Sequence, residues 1–466
     1  MEKNIDRFTL LPESLLLIII SFLPFKEAIR TSVLSKRWIH LWEKTTNIEF
    51  NELFFVKLNQ PRREREIQRR DFLKFMTFWL DNCKEPVVEK FSLRLSKPEN
   101  AHGIIERCFA LATQHGLKEL GLDFSDPNWE EEVFVNEHNA SVELPKYVYE
   151  QKALEYLKLF SCGFLEADLL NLHALKEVSF GWVEVKLTLI NSLLSNCKMI
   201  ESLSLKRCWN SSEFKIEGDD LRLRRLVVDN CYFQNVLFKI NAPNLIVFKY
   251  YGIMSLFEIK SPLVMEEVDL DFDLEFETVA WHVPYLCNLL KDVYPVRVLT
   301  VCSYILQVIH TGRALRTERD MNARHLILKT NLYNDELHGI SFLLYSCPML
   351  ESLTFELGLG RDLDGDECQL DVDYQRIWMA NVTVYECLIS TLKVVEVKNF
   401  EGTVNGLLVL YYIIRCGRVL KKVNINVRKG EVERDDGRSV AFYRDIEEFV
   451  MTLPRASSDL EISVCY

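Results

Sequence analysis

The sequence has few of the residues that mark disulfide-rich, disordered or nucleic-acid-binding proteins. Thirteen Cys in 466 residues are too few for a disulfide scaffold, and no CxxC pair suggests a zinc or redox site. A hydrophobic content of 48% with only 17 Gly argues against disorder, because disordered chains lack the apolar surface that offsets chain entropy. The net charge of −12 disfavours a nucleic-acid partner, since phosphate binding needs an excess of Lys and Arg. We expect a folded protein with reduced thiols in the cytoplasm, the nucleus or both.

The sequence also offers no hydrophobic run long enough for a membrane span. The apolar stretch from Leu15 to Leu23 is far shorter than the roughly 20 residues that cross a bilayer. It follows Pro12 and Glu13 and has no cleavage site of small residues, so it does not fit a signal peptide. We therefore expect neither secretion nor a membrane partner.

Residues 6–50 predict a compact helical unit. A Leu11-Pro12 turn precedes an apolar run, Pro24 breaks that run, and a second helix is predicted through Lys36-Arg37-Trp38. The first helix has almost no polar face, whereas a helix on the surface of a small domain would show one. We therefore expect another protein to cover it.

The segment LLPESLLLIIISFLPFKEAIRTSVLSKRWIHLW resembles the F-box, and TSVLSKRWIHLW is similar to the version common in plants. Glu13 and Phe25 depart mildly from the usual pattern. The resemblance implies that the segment docks the Skp adaptor of a cullin-type ubiquitin ligase. The residues that it assigns to docking or to packing of the motif are Leu11, Pro12, Leu15, Ile19, Leu23, Pro24, Ile29, Val33 and Trp38. The alternative is an ordinary helical hairpin covered by the rest of the chain.

Residues 88–374 predict leucine-rich repeats. We expect a helical linker before them, at residues 51–87. The charged run at 61–70 in this linker favours the solvated start of a helix over a nuclear localisation patch. Segments with Leu-x-x-Leu-x-Leu character recur at 91, 117, 154, 175, 200, 223, 245 and 265. In three of these segments two apolar residues are followed at the same spacing by a cysteine, which is Cys162, Cys208 or Cys231. We expect the apolar pair to point inward from a short strand and the Cys to be buried in the turn.

A second phrase recurs 150 residues apart, as CKMIESL from Cys197 and as CPMLESL from Cys347. It places a helix end and a Cys before the next strand, and it resembles a phrase of plant F-box leucine-rich repeats. Stacked repeats predict an α/β solenoid, an arc with one concave sheet. The target-binding candidates on that face are Lys158, Phe160, Lys206, Lys249 and Tyr251. They suit an acidic or phosphorylated peptide, although plain solvated strand residues are the simpler interpretation.

Residues 375–466 resemble the FBD domain found at the end of plant F-box proteins, with PRASS from Pro454 as the matching phrase. Alternating Val and Ile predict strands at 395–397 and 423–427, and residues 407–414 predict a buried helix. We expect this domain to cap the repeat array.

The sequence suggests no catalytic centre, metal or cofactor. The acidic loop from Asp362 lacks the glycine and glutamate positions of a calcium loop, and His310, His325 and His338 form no metal-ligand pattern. The resemblance implies the target-recognition subunit of a Skp-cullin-F-box ligase, which contacts the cullin and RING subunits indirectly and is not itself an enzyme. The alternatives are a scaffold that ubiquitylates nothing and a receptor whose surface a small molecule completes.

Overall fold

The computed structural model describes residues 11–82, 87–131, 140, 142–210, 214–233, 237–260, 265–275, 282–311, 320–360, 378, 384–428 and 440–465. The chain forms two compact units. The first contains residues 1–212 with 231–233, and the second contains residues 213–230 with 234–466. The acidic loop from Asp362 lies outside the described residues.

The first unit begins with short helices and continues as a parallel sheet. Its helices are α1 (Glu13–Ser21), α2 (Phe25–Arg30), α3 (Arg62–Asn82), α4 (His102–Ala112), α5 (Glu166–Leu169) and α6 (Leu187–Asn196). Its sheet strands are β1 (Asn47–Asn51), β2 (Lys90–Arg94), β3 (Glu119–Asp123), β4 (Tyr156–Phe160), β5 (Glu177–Gly181) and β6 (Ser202–Lys206). These strands pair in chain order, each parallel to the next. The short strands β7 (Trp209–Asn210) and β10 (Tyr232–Phe233) pair separately.

The second unit repeats this architecture over a longer stretch. Its main sheet contains β9 (Arg225–Asp229), β12 (Val247–Tyr251), β14 (Met265–Asp271), β15 (Val296–Val301), β16 (His325–Thr330), β17 (Ser352–Leu357), β18 (Val394–Phe400), β19 (Lys422–Val427) and β20 (Glu461–Cys465), all parallel and in chain order. A smaller parallel sheet contains β8 (Phe214–Glu217), β11 (Leu237–Asn241) and β13 (Leu256–Ile259). The helices are α7 (His282–Asp292), α8 (Ser303–Thr311), α9 (Glu336–Ser346), α10 (Glu386–Ser390), α11 (Val404–Cys416) and α12 (Val440–Thr452).

Period-two alternation puts one apolar face of each sheet in the core. In the first unit Leu122, Leu159, Phe180 and Leu205 occupy one row across four strands, and all are at most 1% exposed. A parallel sheet of this kind must be covered by the segments that connect its strands, so each repeat depends on its neighbours. This is the sequential order expected of a repeat array.

Left-handed residues end several of the strands. Ser161 and Arg207 directly follow β4 and β6 and have φ values of 51° and 52°. The amide of Ser161 donates to the carbonyl oxygen of Gly181 in the next repeat at 2.8 Å. Each turn is followed by a fully buried cysteine, Cys162 or Cys208. The structure thus confirms the interior position that the spacing predicts for these two cysteines.

The repeat predictions are confirmed strand by strand. All eight recurring segments contain a strand of the main sheets, from β2 to β14, and Cys197 and Cys347 are the C-caps of α6 and α9. The strands predicted near residues 395 and 423 are β18 and β19, and the predicted helix at 407–414 lies inside α11. The charged run at 61–70 begins α3, as predicted.

Two boundaries differ from the sequence expectation. The second helix was expected to run through Trp38, but α2 ends at Arg30 and a 3-10 turn follows at Thr31–Val33. The hydroxyl of Thr31 donates to the carbonyl oxygen of Ala28, which competes with continued helix. The first sheet also begins before residue 88, because β1 already pairs with β2. The FBD boundary at residue 375 stays a prediction.

Candidate functional site

The helices at the N-terminus enclose a small apolar core of their own. Leu16 and Ile20, one turn apart on α1, are fully buried against Ala28, Trp38 and Leu41. Leu11, Leu17, Ile19, Leu23 and Trp42 pack partly buried around this core. Leu16 and Ile20 thus define the inner face of α1, and Leu17 and Ile19 border it.

Large apolar side chains of this helical unit are exposed to solvent. The exposed fractions are 44% for Leu15 and 51% for Ile18 on α1, 83% for Phe22 at its C-cap, and 85% for Val33 and 64% for Leu34 in the turn after α2. We call these five residues the apolar docking face. Large exposed apolar side chains that lie together on a protein surface are typical of an interaction site.

The nine residues expected to dock or pack divide between the two roles. Leu15 and Val33 lie on the apolar docking face, whereas Trp38 is 5% exposed and belongs to the core. Pro12 and Pro24 are exposed N-caps of α1 and α2. Leu11, Ile19 and Leu23 pack against the core, and Ile29 is half-buried. Ile18, Phe22 and Leu34 are also exposed although they were not among the nine, and the assignment of all these residues to docking stays a prediction.

Ion pairs hold the first turn of α1 to the segment that ends the helical unit. Lys44 forms an ion pair with Glu13, and its hydrogen bond lowers the pKa of that carboxyl group. Arg37 donates to the carbonyl oxygen of Leu11. The side chain of Asn47 donates to the carbonyl oxygen of Ser21 at 3.0 Å. These contacts fix the orientation of α1 before any partner binds.

Three of the target-binding candidates lie in the first unit and contact aromatic rings. The ammonium group of Lys158 is 4.2 Å from the ring centroid of Phe160 and 3.2 Å from the carboxylate of Asp123. The ammonium group of Lys206 is 5.1 Å from the ring centroid of Trp182. Phe160 itself is 8% exposed, because its ring lies against the backbone of Gly181, where a Cβ would approach it to 2.7 Å. The lysines, rather than the Phe160 ring, are therefore the accessible groups.

The other two candidates lie in the second unit within a network of opposite charges. Lys249 forms an ion pair with Glu267, and the hydroxyl of Tyr251 donates to Asp269 at 2.7 Å. Burial and this carboxylate raise the pKa of Tyr251. Lys329 contacts Asp269 at 3.2 Å and also forms an ion pair with Asp271.

Lys329 is the cation that binds this network together. Burial alone would lower its pKa, but the charges of Asp271 and Asp269 raise it above its usual value. The sequence missed Lys329, because its partners lie on β14, some 60 residues earlier. Lys249 and Tyr251 therefore serve mainly to hold neighbouring strands together. The carboxylates that surround them would repel an acidic ligand.

Most cysteines in the described part of the chain are buried. Burial raises the pKa of Cys162 and, to about 12, that of Cys108. The amide of Cys208 donates to the sulfur of Cys231 at 3.4 Å, so the repeat-turn cysteines do bond to turn backbone. Cys231, however, is half-buried rather than buried, which corrects the sequence expectation for that residue. A thiol that burial keeps protonated is a poor nucleophile.

Two further features could in principle hold a ligand. Asp271, Asp273 and Cys302 place possible metal-ligand atoms within 4.8 Å of one another, but the sulfur of Cys302 already accepts the amide of Phe272 at 3.2 Å. Burial also raises the pKa of the Cys302 thiol. An open cleft of about 540 Å³ lies at the ends of β17 to β19 and is lined by Leu357, Gly358, Leu359, Asn399, Val427 and Arg428. Among the described helices, none is both long and apolar enough to cross a membrane.

Comparison with known proteins covers both parts of the chain. The family model described as the At1g61320/AtMIF1, LRR domain matches residues 88–448, and the F-box domain model matches residues 8–48. Two relatives from Arabidopsis thaliana, the F-box protein At3g62230 and the putative F-box/LRR-repeat protein At5g54820, are each 34% identical to this chain. The alignments cover 90% and 92% of this chain and 91% and 92% of the relatives. The FBD-associated F-box protein At1g66310 is 23% identical over 99% of this chain and 97% of its own length.

Proposed function

Because this chain belongs to the family of F-box proteins with a leucine-rich-repeat domain, we propose that it is the target-recognition subunit of a Skp-cullin-F-box ubiquitin ligase. The observation that carries the proposal is the apolar docking face, which the chain's described residues leave open to solvent. In this role the F-box binds a Skp adaptor, the cullin and RING subunits join through that adaptor, and the repeats bind the protein target.

The apolar docking face supplies part of the free energy of adaptor binding. Fully covering a large apolar side chain contributes roughly 1.5 to 3 kcal/mol, and Phe22, Val33 and Leu34 are each mostly exposed before binding. Nanomolar affinity requires about 12 kcal/mol net of association entropy and side-chain ordering, so contacts outside these five residues have to add to them. The ion pair of Glu13 with Lys44 and the separate core hold the face in place, which reduces the ordering cost.

The proposed target surface is the half-exposed face of the strands, with Lys158 and Lys206 as its main cationic groups. Both lie in the first unit, on β4 and β6 with β5 between them, and Lys158 shares the carboxylate of Asp123 with Arg94, whose Nε is 3.7 Å from it. Two cations on one carboxylate leave a local excess of positive charge, which favours an acidic segment of the target. Phe160 positions Lys158. Lys249 and Tyr251 are weaker candidates, because Lys249 has Glu267 to itself and the hydroxyl of Tyr251 donates to Asp269, whereas the acidic partner of Lys158 is shared with Arg94.

Catalysis by the assembled ligase is then positional for this chain. The repeats hold a target lysine near the thioester of the conjugating enzyme, and this raises the effective concentration of the two reacting groups. The buried cysteines take no part in the transfer, since burial keeps thiols such as Cys162 protonated.

Co-expression with a Skp adaptor tests the docking step. The wild-type chain is expected to purify as a one-to-one complex, whereas Phe22→Asp places a charge in an apolar interface and should abolish the complex. Phe449→Asp is the matched control, because Phe449 is 47% exposed on α12 in the second unit. Equal recovery of the adaptor with wild type and Phe22→Asp would remove the apolar docking face from consideration.

Target capture tests the second step. Proximity labelling in cells identifies proteins whose labelling falls with Lys158→Glu while adaptor binding stays unchanged. A ligase role further requires that such a protein accumulates when the proteasome is inhibited and is ubiquitylated by the reconstituted complex. Binding of adaptor and target without either result would support the interaction scaffold instead.

A further inference from the structure

Aromatic side chains continue the apolar surface beyond the F-box. Phe54 and Phe55 follow β1 and are 39% and 37% exposed, and Phe78 on α3 is 67% exposed. We call these three residues the aromatic flank. We propose that the aromatic flank binds the same Skp adaptor as the F-box, so that the adaptor's contact surface extends past residue 50 onto the start of the repeat domain. This inference rests on the proposed function.

Direct contacts join the aromatic flank to the F-box. The ammonium group of Lys26 on α2 is 4.7 Å from the ring centroid of Phe54. The ring of Phe25, the residue before it, packs edge-on against Trp79 of α3 at 6.1 Å. The helix that carries Phe78 therefore packs against the F-box through Trp79. Both Phe54 and α3 thus contact the F-box within one compact unit.

The same contacts show why the aromatic flank is exposed. The inward face of α3 is formed by Phe72, Met76 and Trp79, all at most 5% exposed. Helical spacing turns Phe78 away from that face. The ring of Phe55 packs on Phe72 at 5.0 Å and so shields the edge of the core, but its own outer side meets solvent.

The surroundings of the aromatic flank resemble an interface centre with a polar rim. Asp71 and Lys74 lie on the solvent side of α3 and pair with each other at 3.0 Å, and Lys57 is exposed in the segment before the helix. Binding surfaces are enriched in aromatic residues at the centre and in charged residues at the edge. An aromatic group at 67% exposure, on a helix that packs against the F-box and carries charges on its solvent side, fits a partner that is bound to the F-box.

Exchange of the bound adaptor measures the contribution of the aromatic flank. The co-purified complex is mixed with an excess of fluorescent adaptor, and the release rate is followed for wild type and for Phe54→Ser combined with Phe78→Ser. Loss of two partly buried aromatic contacts should speed release by about 10- to 100-fold, since most interface substitutions act on the dissociation rate. Phe449→Ser removes a phenylalanine of the second unit whose exposure of 47% lies between the exposures of Phe54 and Phe78, and it should leave the rate unchanged.

A second measurement does not depend on how the double variant folds. Phe78→Cys and Phe449→Cys introduce single thiols, and the alkylation rate of each is read by peptide mass spectrometry in the adaptor complex. The thiol at position 78 should react at least about tenfold more slowly than that at position 449, because a partner covers it.

The outcomes separate this inference from the proposed function. The inference is wrong if the double variant releases the adaptor at the wild-type rate and the thiol at position 78 is alkylated fast. The proposed function still stands in that case, provided that Phe22→Asp abolishes the complex. If Phe22→Asp also binds normally, both the inference and the docking proposal fail. If the wild-type complex contains two copies of this chain and the double variant contains one, with adaptor release unchanged, the aromatic flank binds a second copy and the inference is wrong.

Discussion

Glu336 is a fully buried carboxyl group whose protonation should make the second unit sensitive to pH. It is the first residue of α9 and is 0% exposed. Its carboxylate oxygens accept hydrogen bonds from the hydroxyl of Ser303 at 2.5 Å, the hydroxyl of Thr330 at 2.8 Å and the amide of Tyr333 at 2.7 Å. Burial raises the pKa of Glu336 from 4.5 to about 7, although these hydrogen bonds lower it.

The raised pKa determines the sign of the effect. The folded protein keeps this proton up to about pH 7, whereas the unfolded chain releases it near 4.5. Below about pH 4.5 this group therefore does not lower the unfolding free energy. The loss of unfolding free energy grows as pH rises from about 4.5 to about 7, and it is complete above about pH 7. A rise from 4.5 to about 7 corresponds to about 3 kcal/mol of lost unfolding free energy.

Glu336→Gln should remove this dependence. The neutral amide keeps an oxygen for Thr330 and Tyr333, and its amide group can donate to the hydroxyl oxygen of Ser303, which also accepts a hydrogen bond from Gln307 at 2.9 Å. We expect equal stability of variant and wild type near pH 4.5 and a variant that is more stable by up to about 3 kcal/mol at pH 8. At about 2 to 4 °C per kcal/mol, the thermal midpoint should rise by several degrees.

The assay is the thermal midpoint of the purified adaptor complex at several pH values between 4.5 and 8. Glu351→Gln serves as the control, since Glu351 is ion-paired with Lys393 and Arg324 at the surface and the hydrogen bond from Lys393 lowers its pKa. That control should not gain stability as pH rises. A Glu336→Gln variant that is less stable than wild type at pH 8 would refute the reasoning, because it would show that the charged form is the favoured one.

Three further predictions concern thiols and packing in the described part of the chain. Cys162 should react with iodoacetamide far more slowly than the exposed Cys465 in the native complex, and equal rates in a mass-spectrometric time course would contradict its burial. Ile20→Ala should destabilise the F-box by about 2 to 5 kcal/mol and expose it to protease, whereas Ile18→Ala should weaken adaptor binding without increasing proteolysis. Phe25→Ala should loosen the F-box from the sheet, measured as faster amide exchange in β1, while the apolar docking face still binds the adaptor.

The repeat architecture could be predicted from the sequence because its signal is local. The strands carry apolar residues at period two, such as Leu157 and Leu159, and the turns after β4 and β6 share a left-handed residue followed by a buried cysteine. A parallel sheet in chain order needs no knowledge of distant pairing, since every strand pairs with the next strand of the main sheet. The same regularity allowed Cys197 and Cys347 to be placed at helix ends from the sequence alone.

The division of α1 into core and docking face could not be predicted in the same way. The helix is apolar on all sides, so its periodicity does not distinguish the buried Leu16 from the exposed Ile18. That distinction comes from Trp38 and Leu41, which follow 20 residues later and cover one side only. Predicting it requires the three-dimensional arrangement of the short helices.

The charge environment of the proposed target surface was also beyond sequence reasoning. Lys158 and Lys249 occupy equivalent positions in their repeats, and the sequence gives no reason to rank them differently. In the structure Lys158 shares Asp123 with a second cation, whereas Lys249 has Glu267 to itself. Because neighbouring strands are 18 to 35 residues apart in the chain for these pairs, side-chain pairing depends on the register.

Rigid attachment of the F-box to the first strands gives the proposed ligase role a physical basis. The ring of Phe25 in α2 packs against Phe50 of β1 at 5.9 Å and against Trp79 of α3 at 6.1 Å, and all three rings are at most 5% exposed. Buried aromatic packing of this kind leaves little freedom for a hinge between the F-box and the sheet.

The effective concentration of two linked sites is highest when the connection holds them at a fixed separation, and it falls as the connection becomes more flexible. Lys158 lies on β4 of that same sheet, so a target bound there would be held at a set distance from the adaptor. In the proposed ligase role, positional catalysis would therefore depend on the aromatic contacts of Phe25 as much as on the two proposed binding surfaces.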